Sequence, residues 1–80
     1  MWYVYILECE HRRLYTGITD DLKRRFQQHA SGKGAKFTRA FKAKRLLFFE
    51  KAENKSAALK KEAHIKSLSR PQKLQLIRRP

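Results

Sequence analysis

The chain has 80 residues, and its 20 lysines and arginines against 7 aspartates and glutamates give a formal net charge of +13. A chain this short has room for one compact domain, expected over residues 1–80, and its single cysteine, Cys9, excludes an internal disulfide and a zinc site built on thiolates. Neither a signal peptide nor a run of the ~20 apolar residues that span a membrane is evident, so we expect a cytoplasmic protein. The net positive charge predicts a polyanionic partner, and nucleic acid is the first candidate.

The chain opens with a predicted β-hairpin. Aromatic and β-branched residues dominate residues 2–8, which predicts a strand, and both of its faces are apolar or aromatic, which predicts cover on both sides. A short polar connection over residues 9–12 leads to a second strand over residues 13–18. So short a connection indicates an antiparallel pair, which brings Tyr5 and Tyr15 near each other.

A helix is predicted directly after the hairpin. Thr19 or Asp20 can cap its first turn, and residues 31–34, Ser-Gly-Lys-Gly, end it. Arg25 and His29 lie one turn apart, beside the predicted buried stripe. The stripe consists of Leu22, Phe26 and Ala30.

The second half predicts a short helix over residues 35–43, a third strand over residues 45–51 and a helix over residues 54–69. A last short helix starts near Ser69, with Pro71 at a tolerated first-turn position. The order β-β-α-α-β-α-α predicts a small α+β fold in which helices flank a three-stranded antiparallel sheet.

Glu62 is the only acidic residue after Glu53, and its neighbourhood is rich in lysine. Helical spacing places it at the edge of the buried stripe of its helix. A simple explanation is an ion pair with Lys66, one turn away, which is worth a few tenths of a kcal/mol. A hard divalent cation, however, needs an oxygen ligand, and Glu62 is the only evident carboxylate anchor in this half of the chain.

Phosphodiester cleavage needs a group that activates water, a cation that neutralises the phosphate and a ligand for a metal ion. A tyrosine or histidine, an arginine and a glutamate can fill these roles, although each one alone is more often structural. Exposed cations would hold the nucleic-acid backbone. The candidates are Lys33, Lys36, Arg39, Lys42, Lys60 and Lys66.

The ordered set resembles the GIY-YIG nuclease superfamily, and most of all its short stand-alone bacterial members, the UPF0213-like proteins. Tyr3-Val4-Tyr5 takes the place of the GIY triplet, and Tyr15-Thr16-Gly17 takes that of the YIG triplet. Arg25 and His29 follow at the spacing of the helix motif of that family. Glu62, within Ala-Leu-Lys-Lys-Glu-Ala, matches its metal-binding glutamate.

This resemblance implies a metal-dependent nuclease mechanism. Mg²⁺ or Mn²⁺ would be held by Glu62 and the scissile phosphate. Tyr15 would help to activate or position the attacking water, and His29 would act as a general base with a pKa near its ordinary range. Arg25 would stabilise the charge of the transition state.

Within the same resemblance, Tyr5 would hydrogen-bond inside the cluster, and Gly17 would let the backbone approach the phosphate. The implied function is an endonuclease that hydrolyses phosphodiester bonds of DNA, selects its substrate by structure and serves DNA repair. RNA stays open as a substrate, and neither a membrane nor an obligate protein partner is expected. The alternative is a non-catalytic, basic nucleic-acid-binding module in which the catalytic set is unused.

Overall fold

The computed structural model describes residues 1–78, so the last two residues of the predicted domain lie outside the described part of the chain. Its order of elements confirms the predicted α+β fold with a three-stranded antiparallel sheet, and the bounds differ from the predicted ones by a few residues at most. Within residues 1–78 no helix combines the length and the apolar character needed to cross a bilayer. The elements are β1 Trp2–Cys9, β2 Leu14–Thr19, α1 Leu22–Ala30, α2 Lys36–Ala40, β3 Ala43–Ala52, α3 Lys55–Lys66 and α4 Arg70–Ile77.

Strand β1 lies in the middle of the sheet, which has the order β2-β1-β3. Tyr5 and Leu7 point to one face, where side chains from α1 and α2 pack against them. Val4 and Ile6 point to the other face and pack against Ile65 of α3 and side chains of α4. Both faces of β1 are therefore covered, as its two apolar faces predicted.

The hairpin register decides which side chains share a face. Tyr5 pairs with Gly17, and Leu7 pairs with Tyr15, so these four residues point to the face covered by α1 and α2. The two tyrosine rings lie diagonally across the hairpin, with their centroids 6.4 Å apart. The predicted proximity of Tyr5 and Tyr15 is confirmed.

The connection between β1 and β2 is a single tight turn over Glu10–Arg12. His11 and Arg12 both adopt positive φ angles, 61° and 59°, in the left-handed region that residues other than glycine rarely occupy. Backbone hydrogen bonds hold the turn, from Cys9 N to Arg13 O at 2.7 Å and from Glu10 N to the carbonyl of Lys42 at 3.0 Å. The turn is therefore a fixed feature rather than a loose loop.

Helix α1 is capped by Asp21, and the prediction of Thr19 or Asp20 was wrong. The Asp21 side chain accepts a hydrogen bond from Arg24 N at 3.0 Å. Because the helix begins at Leu22, only the residue before it reaches that free N–H group. Thr19 instead accepts from the backbone N of Asp21 at 3.1 Å, and Asp20 pairs with Arg24 at 3.4 Å.

Side-chain caps also fix the starts of the last two helices. Asn54 accepts from Ala57 N at 2.8 Å at the start of α3. Ser69 and Gln72 form a reciprocal capping box at the start of α4, with Pro71 in the first turn. These caps fix where α3 and α4 begin, and the burial of Ala58 and Ile65 fixes which face of α3 packs on the sheet.

Candidate active site

A chain of buried hydrogen bonds joins β1 to the first two helices. Tyr5, 2% exposed, lies with its hydroxyl 2.8 Å from Nε2 of His29, which is fully buried on α1. The other ring nitrogen of His29, Nδ1, lies 2.6 Å from Oγ1 of Thr38 on α2. The hydroxyl of Thr38 donates in turn to the carbonyl of Ala35 at 3.0 Å.

The last bond fixes the direction of the others. Because the hydroxyl of Thr38 donates its hydrogen bond to the carbonyl of Ala35, the oxygen of that hydroxyl accepts a hydrogen bond from Nδ1–H of His29. Nε2 of His29 is then the bare nitrogen, and it accepts from the hydroxyl of Tyr5. Tyr5 is therefore oriented with its proton toward His29 and its lone pairs toward the rest of the cluster.

The protonation states follow from burial. Burial, the neighbouring Tyr15 and the charge of Glu62 raise the pKa of Tyr5 to about 12, against a smaller lowering by Arg25. Burial, aided by the charge of Arg25, lowers the pKa of His29 to about 4. Tyr5 and His29 are both neutral at pH 7.

The expectation that the pKa of His29 lies near its ordinary range was therefore wrong. Both of its nitrogens are engaged, and no surface of the ring reaches solvent. Because the pKa of Tyr5 is raised and that of His29 is lowered, transfer of the Tyr5 proton to His29 is strongly unfavourable. His29 instead holds Tyr5 in place.

Two glycines leave room for this chain of hydrogen bonds. A Cβ on Gly17 would lie 2.5 Å from the hydroxyl oxygen of Tyr5 and 3.0 Å from Cε2 of Tyr15. A Cβ on Gly34 would overlap Nδ1 of His29 and lie 2.9 Å from Oγ1 of Thr38. The two tyrosines therefore fill the space that a side chain at position 17 would need.

Tyr15 is the more accessible of the two tyrosines. Its ring lies 5.0 Å from that of His29 and stacks on Phe37 of α2 at 5.6 Å, measured between centroids. It is half-buried, and the hydrogen bonds within residues 1–78 leave its hydroxyl free. Tyr15 can therefore present its hydroxyl to water or to a phosphate oxygen.

Arg25 supplies the positive charge of the cluster. It lies one helical turn before His29, is half-buried, and donates from one terminal nitrogen to Oε1 of Gln28 at 2.9 Å. Its charge lowers the pKa of both Tyr5 and His29, so it lies close to both rings. A guanidinium has further N–H groups that can hold phosphate oxygens.

Glu62 lies on α3, whose Ile65 packs against the face of the sheet opposite Tyr5. The charge of Glu62 makes the smallest of the contributions to the raised pKa of Tyr5. The side chain is 18% exposed and pairs with Lys66, 55% exposed, at 3.4 Å, which confirms the predicted ion pair one turn away. The neighbours Ala58 and Ile65 are buried, so Glu62 lies at the edge of the buried stripe, as predicted.

A preformed metal cage is absent from residues 1–78, where no three His, Cys, Asp or Glu side chains come together. Mg²⁺ nevertheless keeps several waters and is commonly bound by one or two carboxylates together with substrate phosphates. The carboxylate of Glu62, 18% exposed, fits that mode, provided that Glu62 exchanges Lys66 for the ion. The residues present therefore suit a metal site that the substrate completes.

The predicted backbone-binding cations are all exposed, but they do not share one surface. Lys60 lies in the wall of a groove between α3, α4 and β3, together with Phe48 and Glu50. Residues two positions apart on an α-helix are separated by about 200° around its axis, so Lys60 points away from Glu62.

Sequence reasoning missed Thr38 and Gly34. A buried histidine needs a partner for each ring nitrogen, so the prediction of His29 beside the buried stripe called for a nearby hydroxyl. Thr38, inside a helix of lysine, arginine and aromatic residues, was the available one. Nothing in the sequence alone pointed to Gly34, because its importance depends on how closely α2 approaches α1.

Cys9 takes no part in the cluster. It is free and buried, and burial, with smaller contributions from Glu10 and Glu8, raises the pKa of its thiol to about 11. A protonated, buried thiol is a poor nucleophile and metal ligand.

Two tyrosines, a buried histidine and an arginine on one face of a small sheet, with a glutamate on a neighbouring helix, are groups that phosphodiester cleavage can use. Comparison with protein families gives the specific assignment. The GIY-YIG catalytic domain matches residues 1–75, so this chain belongs to the GIY-YIG family, whose members are generally endonucleases.

The similar proteins confirm the predicted subgroup. A UPF0213 protein of Cupriavidus necator is 54% identical over 72 residues, which are 90% of this chain and 78% of that protein. A UPF0213 protein of Clostridium perfringens is 51% identical over 77 residues, 96% of this chain and 83% of that protein. The solution NMR structure of a UPF0213 protein of Bacillus halodurans has a TM-score of 0.58 and 47% identity, and the match covers 96% of this chain and 83% of that one.

Proposed function

We propose that this chain is a divalent-metal-dependent endonuclease that hydrolyses phosphodiester bonds of DNA, as a single domain over residues 1–80. One observation carries the proposal. The buried hydroxyl of Tyr5 bonds to His29, the ring of Tyr15 lies beside both rings, and the charge of Arg25 lowers the pKa of Tyr5 and of His29, so four of the candidate groups lie together.

Arg25 is the group that neutralises the phosphate. Charge builds on the non-bridging oxygens as water attacks, and a half-buried guanidinium stabilises it more strongly than an exposed one would. Its remaining N–H groups face that charge as a planar fork. Lysine at this position would retain the charge but lose the fork.

Tyr15 is the group that orients the attacking water. Its hydroxyl is free to accept or donate, and its ring is fixed between His29 and Phe37. A fixed hydroxyl holds a water molecule at the angle required for in-line attack, which is a contribution of orientation and of proton transfer.

Tyr5, His29 and Thr38 form the support for Tyr15. Because Nε2 of His29 accepts a hydrogen bond from the hydroxyl of Tyr5, the ring of Tyr5 is held beside Gly17 and Tyr15. Thr38 fixes the tautomer of His29 in the same way. We assign these three residues a positioning role, and none of them exchanges a proton with the substrate.

Glu62 would hold the divalent ion together with the scissile phosphate, in place of its bond to Lys66. Such an ion, when bound, stabilises the negative charge of the phosphate oxygens as a Lewis acid. The exposed lysine and arginine residues would then supply the affinity for the nucleic-acid backbone. We further propose selection of branched DNA and a place in DNA repair.

A non-catalytic nucleic-acid-binding module is the second candidate. It is favoured by one observation, the pairing of Glu62 with Lys66, which leaves the only carboxylate of the cluster already neutralised. The net charge of +13 serves either function.

A cleavage assay with supercoiled, branched and single-stranded DNA, with and without Mg²⁺ or Mn²⁺, distinguishes the endonuclease from the binding module. We expect the wild-type protein to cut branched DNA fastest, and only with the ion. Glu62→Gln should abolish cutting while binding stays equal or improves slightly, because a negative charge leaves a basic surface. Glu53→Gln, at an exposed glutamate before α3, is the matched control.

Two results would contradict the proposal. If Glu62→Gln cuts as fast as Glu53→Gln, Glu62 does not hold the metal. If the wild-type protein binds all three DNAs but cuts none with either ion, the binding module becomes the better description.

A further inference from the structure

A row of adjacent planar groups runs from Tyr15 to the hairpin turn. Tyr15 stacks on Phe37 with centroids 5.6 Å apart and planes inclined by 26°. Phe37 lies 5.4 Å from Phe41 with planes inclined by 46°, and the guanidinium carbon of Arg13 lies 4.3 Å from the centroid of the Phe41 ring. Tyr15, Phe37, Phe41 and Arg13 are called the stacking row below.

The outer end of the stacking row is fixed. Arg13 follows the turn in which His11 and Arg12 hold left-handed backbone angles. The carbonyl of Arg12 accepts from the guanidinium of Arg70 on α4 at 2.8 Å, and the ring of His11 lies edge-on to Phe41 at 6.1 Å. Unfavourable backbone angles persist only where the surroundings hold them, and such angles are frequent at ligand sites.

The stacking row is open to solvent at this end. Arg13 is exposed, and Phe37 and Phe41 are only half-buried, so the row is not wholly core. Lys36 and Arg39 project into solvent from the helix that carries Phe37. Planar groups beside exposed cations are the two parts of a single-strand binding site, in which bases stack and phosphates pair with charge.

We propose that the stacking row binds an unpaired base one or a few nucleotides from the phosphate held at Arg25. The base stacks on the free face of the Arg13 guanidinium, which Phe41 supports from below, and Tyr15 links the row to the active site. The substrate strand is therefore unpaired next to the cut, as in a single strand, a bulge or a flap. This inference rests on the proposed nuclease function and narrows its substrate.

A fully paired duplex cannot use the row in this way. Each base in a duplex is covered on both faces by its neighbours, and only an unpaired base has a face to offer. Contact of Arg13 with a phosphate is the competing role, and it would favour paired and unpaired DNA alike.

The test is metal-free binding, so that catalysis does not enter. The probes are a single strand, a duplex with a one-base bulge and a fully paired duplex, each with 2-aminopurine at one position. The variants are Phe41→Leu, which keeps an apolar side chain, and Arg13→Lys, which keeps the charge but loses the plane. Phe48→Leu is the control, because Phe48 is also half-buried but packs on the opposite face of the sheet.

We expect quenching of 2-aminopurine in the single strand and the bulge but not in the duplex. Phe41→Leu and Arg13→Lys should each weaken binding of the unpaired probes by about 5- to 100-fold, the loss of one stacked base, with duplex binding within about twofold. Phe48→Leu should match the wild type on all probes.

Equal losses on paired and unpaired probes, or no loss on either, would overturn the inference. The proposed function is judged separately. If the wild-type protein cuts DNA with Mg²⁺ but Phe41→Leu binds every probe normally, the nuclease proposal stands and the stacking row is packing alone. If the variants lose unpaired binding but the wild-type protein cuts nothing, the base site stands and the nuclease proposal fails.

Discussion

Removal of the Tyr5 hydroxyl tests the buried hydrogen-bond chain directly. Tyr5→Phe keeps the ring but leaves Nε2 of His29 without its partner, in a place that no solvent reaches. An unpaired buried acceptor costs about 1–3 kcal/mol. For a domain of this size each kcal/mol lowers the melting temperature by roughly 4–8 °C, so we expect a loss of about 4–24 °C.

The assay is thermal unfolding followed by far-UV circular dichroism, with Tyr3→Phe as the control. Tyr3 lies on the same strand and packs edge-on against Phe49, and its ring is half-buried. We expect Tyr3→Phe to melt within about 2 °C of the wild type. If Tyr5→Phe melts as high as Tyr3→Phe, the hydroxyl of Tyr5 does not satisfy His29, and the positioning role assigned to this chain is wrong.

Three further changes follow from the same geometry. Arg25→Lys should bind DNA within about threefold of the wild type yet cut at least tenfold more slowly, because lysine keeps the charge but lacks the planar N–H groups of the guanidinium. A binding titration checks the affinity, and single-turnover cleavage checks the rate. Gly17→Ala places a Cβ 2.5 Å from the Tyr5 hydroxyl, so Tyr5 and Tyr15 must both shift; we expect it to lower the melting temperature and the cleavage rate together, whereas a loss of neither would mean that the tyrosines do not occupy this space. Folding lowers the pKa of His29 from 6.5 to about 4, so the stability gained from neutral His29 is complete above pH 6.5 and declines as the pH falls toward 4. Urea unfolding should show the wild type losing up to about 3 kcal/mol more than His29→Gln over that range, and parallel pH profiles would contradict the burial of His29.

Local pattern was enough to predict much of this site. Alternation along β1 and a short turn brought Tyr5 beside Tyr15, and helical spacing placed Arg25 one turn from His29. The same spacing placed Glu62 at the edge of the buried stripe and beside Lys66. Each of these relations depends on neighbours within one element or one hairpin, where sequence separation fixes distance.

The features that the sequence did not predict depend on contacts between elements or on the exact backbone geometry. The pKa of His29 depends on how deeply α1 lies against the sheet and on Thr38 from α2, which no spacing within α1 contains. The close packing of Tyr5 against Gly17 was not predicted, because the position of the Tyr5 ring depends on its bond to His29 on another element. The cap of α1 was misplaced by one residue, since Asp20 and Asp21 offer the same chemistry and backbone geometry selects one.

The most direct test of the proposed active site is the cleavage rate of Tyr15→Phe at saturating branched DNA and Mg²⁺, with the melting temperature of the same sample. The hydroxyl of Tyr15 is free of hydrogen bonds within residues 1–78, so its removal should leave the melting temperature within about 2 °C of the wild type. We expect cleavage to fall by about 10²-fold or more, the usual contribution of a positioned acid–base group. Cleavage at the wild-type rate by a fully folded Tyr15→Phe would contradict the proposed active site.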